Sequence, residues 1–208
     1  MLAVAMMVIL DLLGLGLAVN DRELPGWKSR AVSGFERPGF VIARDGAGPV
    51  VRISGAGKAA WFYRPIEDPI REDGQLRWSW RVLQAPRGAV LSDRGRDDSP
   101  IRVFVAFGKL GGLFNRGGRV IFYSFSGEDS SGYSAPSHAG GRFHIFGLDG
   151  AMAVGSWRDH QVNPRDDFRR IWGQEPPPIT AIGVMQDTDQ TGQEAIAELR
   201  TLAWEGGR

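Results

Sequence analysis

The sequence predicts an all-β protein, an antiparallel β-sandwich of the jelly-roll type with one short helix. Short apolar runs alternate with clusters of Gly, Pro, Asp and Ser along the chain, which is typical of strands joined by turns. The pattern lacks long amphipathic helices between the strands, and this disfavours a doubly wound α/β fold. The chain has 208 residues, including 29 Gly and 7 Trp, which is enough for many turns and one aromatic core. We therefore expect a single β-sandwich domain over residues 21–208.

The first twenty residues are predicted to be a signal peptide or a membrane anchor. The segment is apolar apart from Asp11 and Asn20 and is about as long as a minimal membrane span. Gly16 and Ala18 are small residues that suit a cleavage site. Basic residues follow the segment instead of preceding it, so cleavage and anchoring both stay open. We expect a periplasmic or other extracytoplasmic location, with membrane contact through this segment if it is not cleaved.

Four segments that follow show the two-residue period of β-strands. They are PVVRIS, AAWFYRPI, QLRWSWRVL and IRVFVAFG. In the third, Trp78 and Trp80 share one face with aliphatic neighbours, and we expect both indoles in the core. The fourth is mostly apolar on both faces, which predicts a central strand. VIFYSFS, RFHIFGL and ITAIGVM are further predicted strands, whereas the tail EAIAELRTLAW fits either a helix or a hairpin strand.

One helix is predicted, in the segment NPRDDFRRIWG. Asn163 is a favourable N-cap, and Pro164 suits the first helical position. Asp166 and Asp167 lie in the first turn, where the helix dipole favours negative charge. Gly173 is suited to end the helix.

The composition excludes several classes of function. The chain has 25 Lys and Arg against 24 Asp and Glu, with the two signs interleaved, so we expect no nucleic-acid partner. Without cysteine, the chain has no disulfide, thiolate metal site or cysteine nucleophile. The three His are far apart, and the phosphate-loop, dinucleotide and serine-hydrolase motifs are missing. We therefore expect no organic cofactor and assign no catalytic residue.

Four motifs together resemble those of a bacterial family. They are WSWRV, DDSPIRVFVAF, VGSWRDHQVNPRDDFRRIWG and AIGVMQDTDQTG. In their order and spacing the chain resembles the family called domain of unknown function 3047, from Leu24 to Trp204. This resemblance implies an exported protein with a jelly-roll sandwich similar to carbohydrate-binding modules, and it implies no particular activity. Gln190 stands where an Asn is more usual in that family.

The loop that begins at Asp187 is the strongest candidate for a metal site. Asp187, Asp189 and Thr191 place oxygen donors at alternate positions, and Gly192 permits a sharp turn. The carboxylate of Glu198 falls where a calcium loop would close. The segment before the loop is predicted to be a strand, so we do not expect an EF-hand. A structural calcium ion and a plain Asp-rich turn both stay open.

Asp97 and Asp98 are candidate ligand-binding residues because they precede the predicted central strand IRVFVAFG. Acidic side chains at the rim of a sheet can bind a cation or a polar ligand. They can also pair with arginines, and Arg94, Arg96 and Arg102 are close in the sequence. Both interpretations stay open.

Trp157 and Tyr133 are candidate ligand-binding aromatics, since a flat ring can stack on the apolar face of a sugar. Trp157 follows Gly155 and Ser156 and is expected near the surface. Tyr133 lies in GEDSSGYSAPSHAGG, the longest predicted loop. Long polar loops frequently carry binding sites.

These observations favour an exported, noncatalytic module that binds a polysaccharide or glycan of the cell envelope. One alternative is a hydrolase on the same fold that pairs Asp97 or Asp98 with Asp187 or Asp189. The other is a structural envelope protein that binds another protein along a sheet edge or face. Two carboxylates with shifted pKa values in one cleft would favour the hydrolase, whereas an exposed aromatic ring in a concave surface would favour the glycan binder.

Overall fold

The structure is a computed structural model that describes residues 26–108, 118–128 and 131–206. Within these ranges it has twelve strands and one α-helix. They are β1 (Lys28–Ala31), β2 (Gly39–Asp45), β3 (Gly48–Ala56), β4 (Ala59–Ile70), β5 (Gly74–Gln84), β6 (Ser99–Phe107), β7 (Arg119–Phe125), β8 (Ser134–Pro136), β9 (Phe143–Asp149), β10 (Trp157–Val162), α1 (Pro164–Trp172), β11 (Ile179–Asp187) and β12 (Glu194–Gly206). The predicted signal or anchor segment, residues 1–20, lies outside the described residues. No helix in the described part of the chain is long and apolar enough to cross a bilayer.

The strands form two sheets that pack face to face, which confirms the predicted jelly-roll sandwich. A seven-stranded sheet has the order β1-β4-β11-β6-β7-β9-β8, and a five-stranded sheet has the order β10-β5-β12-β3-β2. Neighbouring strands run antiparallel with one departure, the parallel pair of β7 and β9. The chain between these two strands includes β8, which pairs on the far side of β9. This excursion lets β9 return beside β7 in the same direction, a feature that strand periodicity does not reveal.

The main core lies between the two sheets. Trp78 and Trp80 of β5 retain at most 1% of their exposure, as the period of that strand predicts. The Trp78 ring lies 5.5 Å from the ring of Tyr123 on the facing sheet. Every residue of β6 is buried, and this strand occupies the middle of its sheet, which confirms the predicted central strand.

The predicted helix is confirmed together with both of its ends. The Asn163 side chain accepts hydrogen bonds from the backbone N–H groups of Arg165 and Asp166 at 3.2 and 3.3 Å. Gly173 ends the helix with a φ of 63°, a left-handed conformation that glycine adopts at little cost. The ambiguous tail is a strand, β12, because it can pair with β3 on one side and β5 on the other.

The seven-stranded sheet is also covered on its outer face. Outward-facing side chains of five of its strands form a second apolar cluster that includes Trp61, Phe104, Phe122 and Phe143. Leu91, from the connection between β5 and β6, packs into the same cluster. The segments that cover this face leave a cleft at one end of it. The candidate site lies there.

Candidate functional site

Strand register brings three distant aspartates to one end of the seven-stranded sheet. β6 and β11 are antiparallel neighbours, with Asp187 opposite Ser99. The start of β6 therefore lies beside the end of β11. Asp98 directly precedes β6, whereas Asp187 ends β11 and Asp189 follows it. One carboxylate oxygen from each of the three lies within 4.8 Å of the other two. We call Asp98, Asp187 and Asp189 the acidic cluster.

Asp98 holds the turn that carries Asp189. Its side chain is fully buried and accepts hydrogen bonds from the backbone N–H groups of Gln190 and Thr191 at 3.1 and 2.8 Å. The Thr191 hydroxyl, which the sequence indicates as a metal ligand, donates to the same carboxylate. Thr191 therefore positions Asp98 and is not itself a member of the acidic cluster. The third oxygen donor of the cluster is Asp98, where the sequence suggests Thr191. These contacts fix the turn against the first residues of β6.

Arg102 is the arginine that faces the acidic cluster. It retains 3% of its exposure, and its guanidinium lies 3.6 Å from the Asp187 carboxylate. The same guanidinium donates a hydrogen bond to the backbone carbonyl of Asp97 and lies over the ring of Phe122, 5.6 Å from its centroid. It is therefore shared among three groups. One positive charge faces three carboxylates.

The cluster leaves carboxylate oxygens without partners. With both groups ionised, Asp187 Oδ1 and Asp189 Oδ1 are buried and accept no hydrogen bond from the described residues. Burial raises the pKa of Asp187 to about 7 against the lowering effect of Arg102, and the nearby carboxylates add to the rise. Burial also raises the pKa of Asp189, partly offset by a hydrogen bond that Asp187 donates while it is protonated. Burial raises the pKa of Asp97 as well.

The acidic cluster opens into a cleft of about 300 Å³ on the outer face of the seven-stranded sheet. Apolar side chains form part of its lining: Val32, Trp61, Phe122, Phe143 and Met185. Polar and charged side chains form the rest, chiefly Arg94, Asp97, Arg102, His138, Asp187 and Asp189. The cleft therefore combines an aromatic surface with charged groups, and carboxylates outnumber arginines around it.

The aromatic part of the cleft is rigidly packed. The Trp61 ring meets Phe104 edge to face at 4.9 Å and lies 5.2 Å from Phe122 and 6.3 Å from Phe143. Trp61 retains 9% of its exposure. The cleft thus presents a small area of a large aromatic assembly instead of a single projecting ring.

The predicted ligand-binding residues lie on both sides of the sandwich. Asp97 lines the cleft and Asp98 lies in the acidic cluster. Tyr133 is half-buried against the same aromatic assembly and donates a hydrogen bond to the Leu91 carbonyl at 3.3 Å. Trp157 lies on the outer face of the five-stranded sheet, far from the cleft in the topology, at the edge strand β10. The long loop contributes Ser137, His138 and Ala139 to the cleft wall.

Sequence reasoning missed the aromatic residues and the arginine of the cleft. Trp61, Phe122 and Phe143 belong to apolar strands and carry no motif that separates them from core residues. Arg102 offered a signal, since it is a charged residue inside a strand that is otherwise apolar on both faces. A charged side chain in a central strand needs a buried partner, and here that partner is Asp187.

Comparisons with known proteins agree with this fold. The sequence model of the family described as "Protein of unknown function (DUF3047)" matches residues 25–203. No curated protein sequence matches the chain. The family 11 carbohydrate-binding module of the cellulosomal cellulase Lic26A-Cel5E of Clostridium thermocellum is similar in structure. It has a TM-score of 0.51 and 13% identity, and the alignment covers 99% of this chain and 97% of that one. The cellulose induced protein Cip1 also has a TM-score of 0.51, with 10% identity over 90% of this chain and 94% of that one.

Proposed function

We propose that this chain, which belongs to the DUF3047 family, is a binding module that holds a glycan in the cleft of the seven-stranded sheet. The observation that carries the proposal is the composition of the cleft, an aromatic surface bordered by carboxylates, arginines and a histidine. A sugar ring has an apolar face of C–H groups and a rim of hydroxyls. The cleft offers partners for both, because aromatic rings contact the face and charged side chains hydrogen-bond the hydroxyls.

The size of the cleft limits what it holds. Its volume of about 300 Å³ is at the lower end of the range for ligand sites in proteins. We expect one or two sugar units inside it, with the rest of a polysaccharide in solvent. Such a site recognises a chain end or a short substituent instead of a long stretch of polymer.

Two further observations support a carbohydrate ligand. The sandwich is similar in structure to the family 11 carbohydrate-binding module of the cellulosomal cellulase. The apolar N-terminal segment predicts export, which would place the cleft among extracytoplasmic polysaccharides. The main support for a carbohydrate ligand is therefore the composition of the cleft, and the structural similarity and the predicted export are secondary support.

A glycan screen followed by calorimetry tests the proposal. The purified protein is screened on immobilised oligosaccharides and polysaccharides, and the best ligand is titrated in solution. We expect Arg94→Ala and Asp97→Asn to weaken binding about tenfold or more, because each removes a charged hydrogen-bond partner at the cleft. The control is Trp157→Leu on the other sheet, which should bind as the parent does. Absence of any glycan ligand, or loss of binding in Trp157→Leu alone, would contradict the proposal.

Glycoside hydrolysis is a second candidate function, favoured by one observation. Asp97, Asp187 and Asp189 all line the cleft with raised pKa values, and a carboxyl that stays protonated near pH 7 can act as a general acid. Hydrolysis also needs a second carboxyl about 5–10 Å away across the sugar. One oxygen from each of Asp98, Asp187 and Asp189 lies within 4.8 Å of the other two, which is closer than that span. Asp97, which also lines the cleft, is the carboxyl left for the second role. Release of reducing ends from a bound glycan, abolished by Asp187→Asn, would establish hydrolysis over binding.

A further inference from the structure

We propose that the acidic cluster of Asp98, Asp187 and Asp189 binds a divalent cation, calcium, at the end of the cleft. The proposal does not depend on a glycan ligand, because it rests on the contacts of these three side chains. It also differs from the calcium loop that the sequence suggests, since its ligands come from two strand ends and not from one loop.

The spacing of the carboxylates fits a calcium ion. Calcium binds oxygen ligands at 2.3–2.6 Å, so two oxygens on one ion can be up to about 5 Å apart. One oxygen from each of the three aspartates lies within 4.8 Å of the others, which satisfies that limit. All the donors are hard carboxylate oxygens, a set that suits calcium, magnesium or manganese.

The second observation is that two carboxylate oxygens, Asp187 Oδ1 and Asp189 Oδ1, are buried without a hydrogen-bond donor from the described residues when both groups are ionised. This residue retains 8% of its exposure, and its Oδ1 accepts no hydrogen bond from the described residues. Asp189 Oδ1 is likewise buried and accepts no hydrogen bond from the described residues. A buried ionised carboxylate without partners is costly, and buried charges in proteins are normally paired or bound to metal. A cation between the two side chains would provide the missing partner for both.

The charge balance supports the same conclusion. Arg102 approaches Asp187 to 3.6 Å but is also held by the Asp97 carbonyl and the Phe122 ring. With all three aspartates ionised, the acidic cluster and Arg102 together leave two negative charges uncompensated. A divalent cation would neutralise them.

The cluster is already assembled for binding. The hydrogen bonds from Gln190 and Thr191 to Asp98 hold the turn that carries Asp189, so little ordering is needed when an ion binds. Calcium takes six to eight oxygens, and three monodentate carboxylates leave several positions to water or a ligand. Asp187 and Asp189 both line the cleft. Water or a sugar hydroxyl in the cleft would therefore be able to complete the coordination of a bound ion.

Calorimetry and thermal unfolding test the cation site. The protein is freed of metal with a chelator, and calcium chloride or magnesium chloride is then added without any glycan. We expect calcium at a hundredfold excess over its Kd to raise the unfolding midpoint by about 5–10 °C, because the native state alone forms the site. No heat of binding and no shift with calcium would overturn the proposal, and an equal or larger shift with magnesium would overturn the assignment to calcium.

Variants identify the ligands. Asp187→Asn and Asp189→Asn keep the size of the side chain and remove one charge, so folding should be preserved. Each is expected to weaken calcium binding about tenfold or more and so to remove about half or more of the thermal shift at the same concentration. The matched control is Asp159→Asn, an exposed aspartate on β10 of the other sheet, which should respond as the parent does. A full thermal shift in Asp187→Asn and Asp189→Asn would refute the site. Because no glycan is present, this result is independent of whether the cleft binds one.

Discussion

The outer faces of the two sheets differ in how completely their buried carboxylates are hydrogen-bonded. On the five-stranded sheet, Glu198 is fully buried, and its two oxygens accept hydrogen bonds from Arg52 at 2.7 Å and from Arg81. On the seven-stranded sheet, Asp187 is almost as buried, yet its Oδ1 has no hydrogen-bond donor among the described residues. Both faces thus bury acid groups, but one of them supplies an arginine for each oxygen.

The five-stranded sheet extends this matching beyond Glu198. Asp45 accepts hydrogen bonds from Arg200 at 2.8 Å and from the backbone of Ala47 and Gly48 at 2.9 and 3.1 Å. Arg200 in turn lies over the Trp157 ring at 3.9 Å. A network in which every charge has its partner needs nothing from outside the protein. The contrast is the basis of the proposed cation site, since native folds rarely leave buried charged groups unsatisfied.

The largest expected change in stability is on the five-stranded sheet, where the buried carboxylate of Glu198 is paired with arginines. Glu198→Gln leaves Arg52 and Arg81 without their shared carboxylate and should lower the free energy of unfolding by about 2–3 kcal/mol. Urea unfolding at pH 7 measures it. Glu205→Gln is the control, because Glu205 forms an exposed pair with Arg77 that should contribute less than about 1 kcal/mol. Equal losses in the two variants would remove the distinction between the networks.

In the acidic cluster, we expect removal of a negative charge to raise the free energy of unfolding instead of lowering it. In the absence of divalent cations, Asp187→Asn should raise the free energy of unfolding at pH 8 by an amount on the order of 2 kcal/mol. The reason is the pKa of Asp187, which burial raises to about 7 from an ordinary value of 3.8. The folded state therefore holds this proton more tightly than the unfolded chain, so its stabilising effect is full below about pH 4 and is lost as pH rises through 7.

Urea unfolding in chelator at pH 5 and pH 8 distinguishes this effect from a general gain in packing. The difference in the free energy of unfolding between the parent and Asp187→Asn should be clearly smaller at pH 5 than at pH 8. Parallel pH profiles for the two proteins would show that the charge of Asp187 carries no penalty. The comparison between the two faces would then fail.

A third buried carboxylate, Asp149, should stabilise the fold as Glu198 does, because its oxygens also accept hydrogen bonds. Asp149 accepts hydrogen bonds from Trp80 at 2.7 Å, from His160 at 2.8 Å and from Arg158 at 3.2 Å. Burial would raise the pKa of Asp149, but the hydrogen bonds from His160 and Trp80 and the nearby positive charges outweigh it and hold this pKa below its usual value. Asp149→Asn should therefore cost about 1–2 kcal/mol at pH 7.

The pH dependence of Asp149 has the opposite sign to that of Asp187. Because its pKa is lower in the folded state, the stability it contributes is present above about pH 4 and is lost as pH falls further. Unfolding midpoints of the parent and Asp149→Asn should converge below pH 4. A constant difference down to pH 3 would mean that the cost comes from packing and not from the charge.

The smallest expected effect concerns Trp157. Two guanidinium groups lie over its ring, that of Arg81 at 4.9 Å and that of Arg200 at 3.9 Å from the ring centroid. Trp157→Leu keeps an apolar side chain and removes the cation–π contacts, at a cost of about 1 kcal/mol. Calcium binding and glycan binding should both stay at the parent level in calorimetry. A loss of glycan affinity would move the ligand site to the five-stranded sheet, where the sequence interpretation of Trp157 as a ligand contact would be favoured.

Several features of this protein follow from the sequence alone, since they depend on neighbours along the chain. The alternation in β5 is enough to place Trp78 and Trp80 in the core, because successive strand residues point to opposite sides. The helix is predictable from Asn163 and Gly173, because its caps bond to backbone groups within a few residues. The family resemblance is likewise a property of ordered motifs, and it is confirmed over residues 25–203.

The tertiary structure alone decided the candidate site. Asp98 and Asp187 meet because β6 and β11 pair in one particular register, and periodicity is the same for every register that keeps the buried face buried. The pairing also decided that Arg102 is shared among several groups and that Trp61 borders a cleft instead of lying between the sheets. Local pattern reports which way a side chain points, whereas its partners come from strands that are distant in the sequence. Whether a buried charge is satisfied is therefore known only when those strands are in place.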